Sequence, residues 1–267
     1  MPSFASLAPL AVRHATPVPP PEPCPRHTAP RLARGVLEDT NVVGDVRIVS
    51  LRMEERVAWS AGQYARVLFD GFPARAFHLS KRLDGSLSDR EVVLHVRARP
   101  DGQLGPAFGD RIRAGHSLVL QVPLGEAFDE RTCDADFACD GEGLARLWAL
   151  FGRSSFRCGQ GSPLVHLAGS DRIDCRYVDR MKTLLRERGV RVVPLAAGTK
   201  PRRRPLVVTG EDPLIERLSA VALRAGLPVH APRNDWDHTG RPFDAPRPNL
   251  REMVGARLAG LPLAELG

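Results

Sequence analysis

The sequence is poor in the features that mark membrane-spanning, secreted and metal-cluster proteins. It has no run of about 18 apolar residues, so a helix that spans a bilayer is not expected. Its five cysteines are odd in number and form no C-x-x-C pair, so neither a disulfide framework nor a zinc or iron–sulfur cluster is indicated. Residues 1–30 lack a continuous apolar segment before an A-x-A site, which argues against a secretory signal. These absences favour a cytoplasmic protein with reduced thiols.

The chain has more basic than acidic side chains. The formal net charge is +7, from 38 basic and 31 acidic side chains. Such a surplus suits acidic partners, which include nucleic acid, phosphate-bearing cofactors and acidic electron carriers. The arginines are spread along the whole chain, and no nucleic-acid-binding motif accompanies them. His95, His116 and His166 stand alone without metal-ligand spacing, so no metal site is predicted.

The length of 267 residues suggests about two domains, and the composition changes along the chain. Residues 1–33 are rich in proline, which predicts a flexible leader. Over residues 34–129, short alternating segments are separated by glycine and proline at roughly 10–15-residue spacing. This pattern is typical of a small antiparallel β-barrel.

Over residues 130–235, short apolar segments alternate with helical patterns, which predicts a parallel sheet built from βαβ units. In such sheets, nucleotides bind at the carboxyl ends of the strands. A second predicted helix is amphipathic and ends at Gly189. The first predicted helix has one apolar face, formed by Leu144, Leu147, Trp148 and Phe151. Residues 236–267 are predicted to form a C-terminal extension to the second domain.

Seven short segments, in the same order along the chain, resemble motifs of the ferredoxin–NADP(H) reductase superfamily. The segments are AGQYARV (61–67), RAFHLS (75–80), PDGQLGPAF (100–108), VPLGEAF (122–128), CDGEGLARL (139–147), GSDRIDCRYVDRM (169–181) and VVTGEDPLI (207–215). A single glycine motif is weak evidence, whereas the order of the seven is specific. The resemblance implies a flavin-binding antiparallel barrel followed by a nucleotide-binding α/β domain with a parallel sheet.

The segment RAFHLS resembles the R-x-Y-S/T flavin motif of this superfamily. The resemblance implies that Arg75 pairs with the flavin phosphate, a contact suited to a planar, charged fork. It implies that Phe77 stacks on the isoalloxazine ring and that His78 bonds near the reactive flavin nitrogen. It also assigns cofactor contacts to four further barrel residues: Ser80, Leu104, Gly105 and Gly125. The alternative, a surface arginine at 75 and a core phenylalanine at 77, stays open.

In the second domain, the resemblance assigns nucleotide contacts to Gly141, Gly143, Ser170, Arg172 and Gly210. The hydroxyl of Ser170 and the guanidinium of Arg172 suit a 2′-phosphate, which favours NADP(H) over NAD(H). Thr209 stands where the family has a cysteine beside the nicotinamide–flavin contact. Thr209 and His78 are therefore the two candidate catalytic residues.

The chain also departs from the family pattern. His78 replaces a serine or threonine and titrates near neutrality, so flavin binding is expected to change between about pH 5.5 and 7.5. Arg146 stands in place of a proline. Glu142 stands in the phosphate loop, where a carboxylate that faces the site repels pyrophosphate and one that points away does not.

The resemblance implies a flavin-dependent oxidoreductase that passes electrons from NAD(P)H through FAD, or FMN, to a separate acceptor. That acceptor is an acidic carrier of the ferredoxin or flavodoxin type, or an oxygenase component. Trp236 and Phe243 in the C-terminal extension are candidates to cover the flavin. The alternative, suggested by the altered motifs, is a non-catalytic member of the same fold that acts as a structural or regulatory subunit.

Overall fold

The structure is a computed structural model, and most of the two predicted domains is described in it. The described residues are 29–98, 104–128, 135–152, 162–169, 173–195, 206–210, 214–215, 217–220 and 229–230. Ser170, Arg172, Trp236 and Phe243 lie outside the described residues, as do most of the predicted leader and the whole C-terminal extension. Among the helices of the described ranges, none has the length and hydropathy needed to cross a bilayer.

The first domain is a closed barrel of six strands. The strands are β1 (Arg31–Val43), β2 (Val46–Met53), β3 (Tyr64–Phe69), β4 (Arg75–Ser80), β5 (Glu91–Arg97) and β6 (Ser117–Leu124). They are joined in the order β1-β2-β5-β4-β3-β6, and every neighbouring pair is antiparallel. Closure leaves no strand edge unpaired around the barrel. The predicted antiparallel barrel is confirmed, and β1 begins at Arg31, inside the range predicted as leader.

The barrel encloses its own apolar core, because successive strand residues point alternately inwards and outwards. Leu37, Val67 and Leu94 are fully buried members of this core. The rings of Phe69 and Phe108 meet edge to face with centroids 5.4 Å apart. Phe108 thereby fastens the segment after β5 to the inside of the barrel.

The second domain is a five-stranded sheet with the order β11-β10-β7-β8-β9, in which all neighbours are parallel. Its strands are β7 (Asp136–Cys139), β8 (Leu164–Leu167), β9 (Arg191–Pro194), β10 (Leu206–Thr209) and β11 (Val229–His230). The three inner strands are buried at every residue, as parallel strands covered on both faces are. The predicted parallel sheet is confirmed.

Two helices connect strands of this sheet, and their burial differs. Helix α2 (Cys175–Glu187) has one buried face. At its start, the Asp174 side chain accepts a hydrogen bond from the Arg176 backbone N–H at 2.8 Å. After its end, Gly189 has a φ of 77°. Helix α1 (Gly143–Phe151) is buried at all nine positions. The prediction of a single apolar face for α1 was incomplete, because this helix also packs against β4 of the barrel.

The barrel and the sheet share one interface around α1 and α2. A single apolar cluster includes Val46 and Ile48 of the barrel together with Phe137 and Trp148 of the second domain. The indole Nε1 of Trp148 donates to the Arg82 carbonyl at 2.8 Å. This shared packing holds the carboxyl ends of β7 and β10 against the barrel.

Candidate functional site

Strand β4 places the three residues predicted to hold a flavin. Arg75, Phe77 and His78 are all half-buried. Phe77 packs partly against the barrel core, and its remaining surface is free to stack on a planar ligand. Nη1 of Arg75 donates to the Ala74 carbonyl at 3.2 Å, so the guanidinium keeps further donors for an anion.

His78 lies opposite Tyr64 of β3, and the two rings meet edge to face with centroids 6.5 Å apart. Burial lowers the pKa of His78 well below its usual value, and the positive charge of Arg146 lowers it further. Both effects favour the neutral imidazole, and the expected change of flavin binding between pH 5.5 and 7.5 stays a prediction. A neutral imidazole offers one donor and one acceptor to a ligand.

Ser80 was predicted to contact the cofactor, and the structure gives its hydroxyl a partner in α1. Its side chain is fully buried, and its Oγ donates to the Ala145 carbonyl of α1 at 2.8 Å. The strand turns this hydroxyl towards the second domain, where it satisfies a backbone carbonyl. Ser80 therefore has a role at the domain interface, and its cofactor contact stays a prediction.

The turn predicted to meet the flavin diphosphate is tightly packed on the barrel. Leu104 is buried in the barrel core. A Cβ at Gly105 would lie 2.6 Å from the Ala98 Cα, so only glycine fits this approach. The Gly105 carbonyl accepts from Arg47 Nε at 3.1 Å. Leu104 thus has a core role, and the backbone at Gly105 remains a candidate for the diphosphate contact.

Gly125 follows β6 in the loop that closes the barrel motif. It has a φ of 70°, which side-chain-bearing residues rarely adopt. Its carbonyl accepts from Gln63 Nε2 at 3.4 Å. Gly125 therefore shapes a loop that reaches Phe128, and the loop comes close to the second domain.

The glycine loop after β7 brings α1 close to β10. A Cβ at Gly143 would lie 2.6 Å from the Thr209 carbonyl oxygen, and one at Gly210 would lie 2.6 Å from the Asp140 carboxylate. Glycine at both positions is thus required by packing. Oδ1 of Asp140 accepts from the Gly143 N–H at 2.8 Å. A backbone N–H at a helix start is the kind of donor that binds a pyrophosphate. The sequence analysis did not identify the Asp140 carboxylate that accepts from it. Gly141 lies between Asp140 and Gly143 in the sequence.

Glu142 is turned towards the barrel. Its Oε1 lies 3.5 Å from Nη1 of Arg97, whose Nε lies 3.1 Å from Oδ2 of Asp45. Oδ1 of Asp45 accepts from the Asp174 backbone N–H at 3.0 Å. The charge of Glu142 is therefore offset by an arginine from β5, which favours the alternative in which this carboxylate does not repel a nucleotide.

Thr209 at the end of β10 is fully buried, and its hydroxyl oxygen accepts from Nη1 of Arg146 at 3.4 Å. Arg146 also lowers the pKa of His78, so the two candidate catalytic residues share one charged neighbour. Sequence reasoning treated Arg146 only as a departure from a family proline. The signal that it missed is the position of an arginine inside the apolar helix run of α1.

No group of three or more His, Cys, Asp or Glu side chains within the described ranges is placed to hold a metal ion. The described part of the chain contains two candidate binding regions. One is the half-buried strand β4, with Arg75, Phe77 and His78, and the other is the start of α1 at Gly143. Arg146 of α1 neighbours His78 and donates to Thr209, so it links the two regions. These groups can bind a flat, charged ligand on the barrel and a second ligand at the sheet.

No family model matches the chain. Curated relatives include the ferredoxin–NAD(P)+ reductase component of a naphthalene 1,2-dioxygenase system from Pseudomonas putida, which is 28% identical over 123 residues, 45% of this chain and 36% of that protein. The reductase subunit of an aromatic O-demethylase from an Amycolatopsis species is 32% identical over 102 residues, 38% of this chain and 30% of that protein. The chain thus matches about a third of the length of these curated relatives.

Solved structures share the two-domain arrangement. The ferredoxin reductase in carbazole 1,9a-dioxygenase superposes with a TM-score of 0.59 at 17% identity, over 77% of this chain and 70% of that chain. Phthalate dioxygenase reductase superposes with a TM-score of 0.58 at 14% identity, over 85% of this chain and 81% of that chain. At these identities, the likeness shows the fold alone: an antiparallel barrel followed by a parallel sheet.

Proposed function

Because the chain resembles reductase components in sequence and reductases of this two-domain fold in structure, we propose that it belongs to the ferredoxin–NADP(H) reductase superfamily and is a flavin-dependent oxidoreductase that passes electrons from NAD(P)H to a separate acceptor. The observation that carries this proposal is the meeting of His78 and Thr209 around the buried guanidinium of Arg146. This shared neighbour supports the proposal that a barrel residue assigned to the flavin and a sheet residue assigned to the nicotinamide form one site.

The barrel residues fit a flavin, and FAD is the form that we propose. Arg75 holds a phosphate, the open side of Phe77 carries the ring, and neutral His78 bonds its polar edge. A bound flavin supplies the hydride-accepting and one-electron chemistry. The protein supplies placement, exclusion of water by the packed interface, and hydrogen bonds.

The second domain is proposed to hold the nicotinamide nucleotide, with NADP(H) preferred. Gly143 gives the backbone its close approach to β10. Thr209 accepts a hydrogen bond from Arg146, which leaves its hydroxyl proton available as a donor. Ser170 and Arg172 are proposed to bind the 2′-phosphate.

The acceptor is proposed to be an acidic ferredoxin- or flavodoxin-type carrier, or an oxygenase component. The relatives in Pseudomonas putida and Amycolatopsis are reductase parts of oxygenase and demethylase systems, respectively. The net charge of +7 suits an acidic partner, because complementary charge steers encounter.

A non-catalytic role is the second candidate, and Asp140 favours it. Its carboxylate occupies the Gly143 N–H at the start of α1 and places negative charge there. That N–H and the helix dipole are what a nucleotide pyrophosphate uses. A chain that binds neither flavin nor nucleotide would be a structural or regulatory subunit.

We expect Arg75→Ala to weaken FAD binding by about 10- to 150-fold, because a charge-assisted hydrogen bond is worth about 1.5–3 kcal/mol. Purified wild-type chain should show flavin absorbance, and quenching of FAD fluorescence on titration gives both affinities. Arg52→Ala, which removes an exposed arginine from β2, is the matched control and should bind FAD as the wild type does. Equal affinity in folded Arg75→Ala removes Arg75 from the site, and a wild type that takes up no FAD supports the non-catalytic role.

We expect Arg172→Ala to lower the affinity for NADPH by at least about tenfold and to leave NADH affinity nearly intact, because the 2′-phosphate loses a charged donor. Isothermal titration calorimetry with both nucleotides measures this. Arg113→Ala, an exposed arginine between β5 and β6, serves as the control. Equal losses for the two nucleotides refute the role of Arg172, and a wild type that binds neither nucleotide refutes the reductase proposal.

A further inference from the structure

Arg146 is a fully buried arginine in the middle of α1. Its Nε and Nη2 both donate to the Gly62 carbonyl, at 3.0 and 2.7 Å, and its Nη1 donates to Thr209 Oγ1 at 3.4 Å. The guanidinium lies 5.4 Å from the centroid of the Phe128 ring. One side chain thus contacts two barrel loops and the end of β10.

The barrel is shaped to receive this side chain. Gly62 has a φ of 99°, and a Cβ there would lie 2.7 Å from the Phe128 backbone nitrogen. The Phe128 N–H donates to the Ala61 carbonyl at 2.7 Å, which ties the two loops together. The Gly62 carbonyl and the Phe128 ring are therefore held in place for the guanidinium.

We propose that Arg146 is an electrostatic positioning residue: it joins Gly62 of the barrel to Thr209 of the sheet and fixes a positive charge beside the candidate hydride-transfer site. The inference rests on the proposed function. Burial lowers the pKa of Arg146 to about 10, against a smaller raising effect of exposed Glu126, so the guanidinium is charged at neutral pH. The fork geometry, with two donors on one carbonyl, is specific to arginine.

A fixed positive charge at this place has a chemical consequence. A hydride carries two electrons with one proton, so its acceptor gains one negative charge. A buried cation, held by fixed partners, favours that charge more strongly than water does, because no reorganisation is needed. Arg146 should therefore make flavin reduction more favourable and hold His78 neutral.

The first test uses the flavin-free full chain. Titration of the imidazole signals by NMR should give a higher pKa for His78 in Arg146→Met than in the wild type, whereas Arg146→Lys, which keeps a cation but not the fork, should give a value between the two. Among the described residues, Tyr64 packs against His78, Thr209 bonds Arg146 and Glu126 acts on its charge, and none of the three is changed. His95 is the internal reference. An unchanged His78 pKa in folded Arg146→Met overturns the proposal; Arg146→Gln replaces Arg146→Met if that variant does not fold.

The second test uses the chain loaded with FAD. The midpoint potential of the flavin in Arg146→Met should be lower by about 30 mV, which is a tenfold change in a two-electron equilibrium. Arg146→Lys, which keeps a cation without the fork, should restore part of the difference, a rescue that a merely structural role does not give. Equal potentials in all three proteins overturn the proposal. If no variant and no wild type binds FAD, the proposed function fails, and the NMR titration alone decides the role of Arg146.

Discussion

Trp148→Ala is expected to lower the free energy of unfolding by about 3–5 kcal/mol, the usual cost of truncating a buried tryptophan. Trp148 is 1% exposed and lies in the apolar cluster that both domains share. The substitution also leaves the Arg82 carbonyl without its indole donor and removes the ring beneath the Arg188 guanidinium, 5.8 Å from its centroid. Urea unfolding followed by far-UV circular dichroism measures the loss.

Trp148→Phe is the matched control for this prediction. It keeps an aromatic ring in the interface and removes the N–H donor, so it should cost clearly less than the alanine variant. Because the cluster spans both domains, the wild type should unfold in a single transition. A loss below about 1 kcal/mol for Trp148→Ala would mean that the interface contributes little to stability.

Local sequence patterns predicted both architectures correctly. In β2 and β5, apolar residues alternate with polar ones or follow one another over seven or eight residues, which is typical of strands. The Gly and Pro residues between the strands mark the turns. In the second half, short and mostly apolar segments alternate with helical patterns, which is typical of a parallel sheet of βαβ units. These patterns depend only on residues that are close together in the sequence, so they can be read from a single sequence.

The domain interface could not be predicted in the same way. The pattern of α1 indicates one apolar face, and its opposite face is buried only because β4 packs there. The positions of Ser80 and Arg146 follow from contacts with residues more than 60 positions away in sequence. No periodicity encodes such contacts, so sequence patterns could not show that Ser80 bonds α1 or that Arg146 joins the two domains.

His95 was likewise judged an isolated residue, and the structure gives it a role in the interface. Its Nε2 lies 2.9 Å from the Lys81 carbonyl, and its Nδ1 lies 2.7 Å from the Tyr177 hydroxyl of α2. A carbonyl only accepts, so Nε2 carries the proton and Nδ1 accepts from the tyrosine. Burial raises the pKa of Tyr177, which therefore remains a donor. A protonated Nδ1 would instead have to donate to the tyrosine hydroxyl, so this arrangement belongs to the neutral imidazole, which burial favours.

The protein is therefore expected to lose stability in mild acid. Burial lowers the pKa of His95 to about 4, whereas an unfolded histidine has a pKa of about 6.5. Above pH 6.5 neither state binds the proton, and the stability is fully present. As the pH falls from 6.5 towards 4, only the unfolded state takes up the proton, so the free energy of unfolding falls by up to about 1.4 kcal/mol per pH unit. His78, whose pKa is also lowered, acts in the same direction.

The contribution of His95 can be isolated by difference. Urea unfolding of wild type and His95→Gln at pH 7, 6, 5 and 4.5 cancels the carboxylates that both proteins share. Glutamine keeps a donor for the Lys81 carbonyl and an acceptor for Tyr177 but does not titrate, so the stability advantage of the wild type should shrink by roughly 2 kcal/mol between pH 7 and 4.5. Tyr177→Phe removes the partner while keeping the imidazole, and it should remain acid-sensitive. If the free energy of unfolding falls with pH equally in wild type and His95→Gln, then His95 takes up its proton equally in the folded and unfolded states. His95 would then make no contribution to the acid sensitivity of the protein.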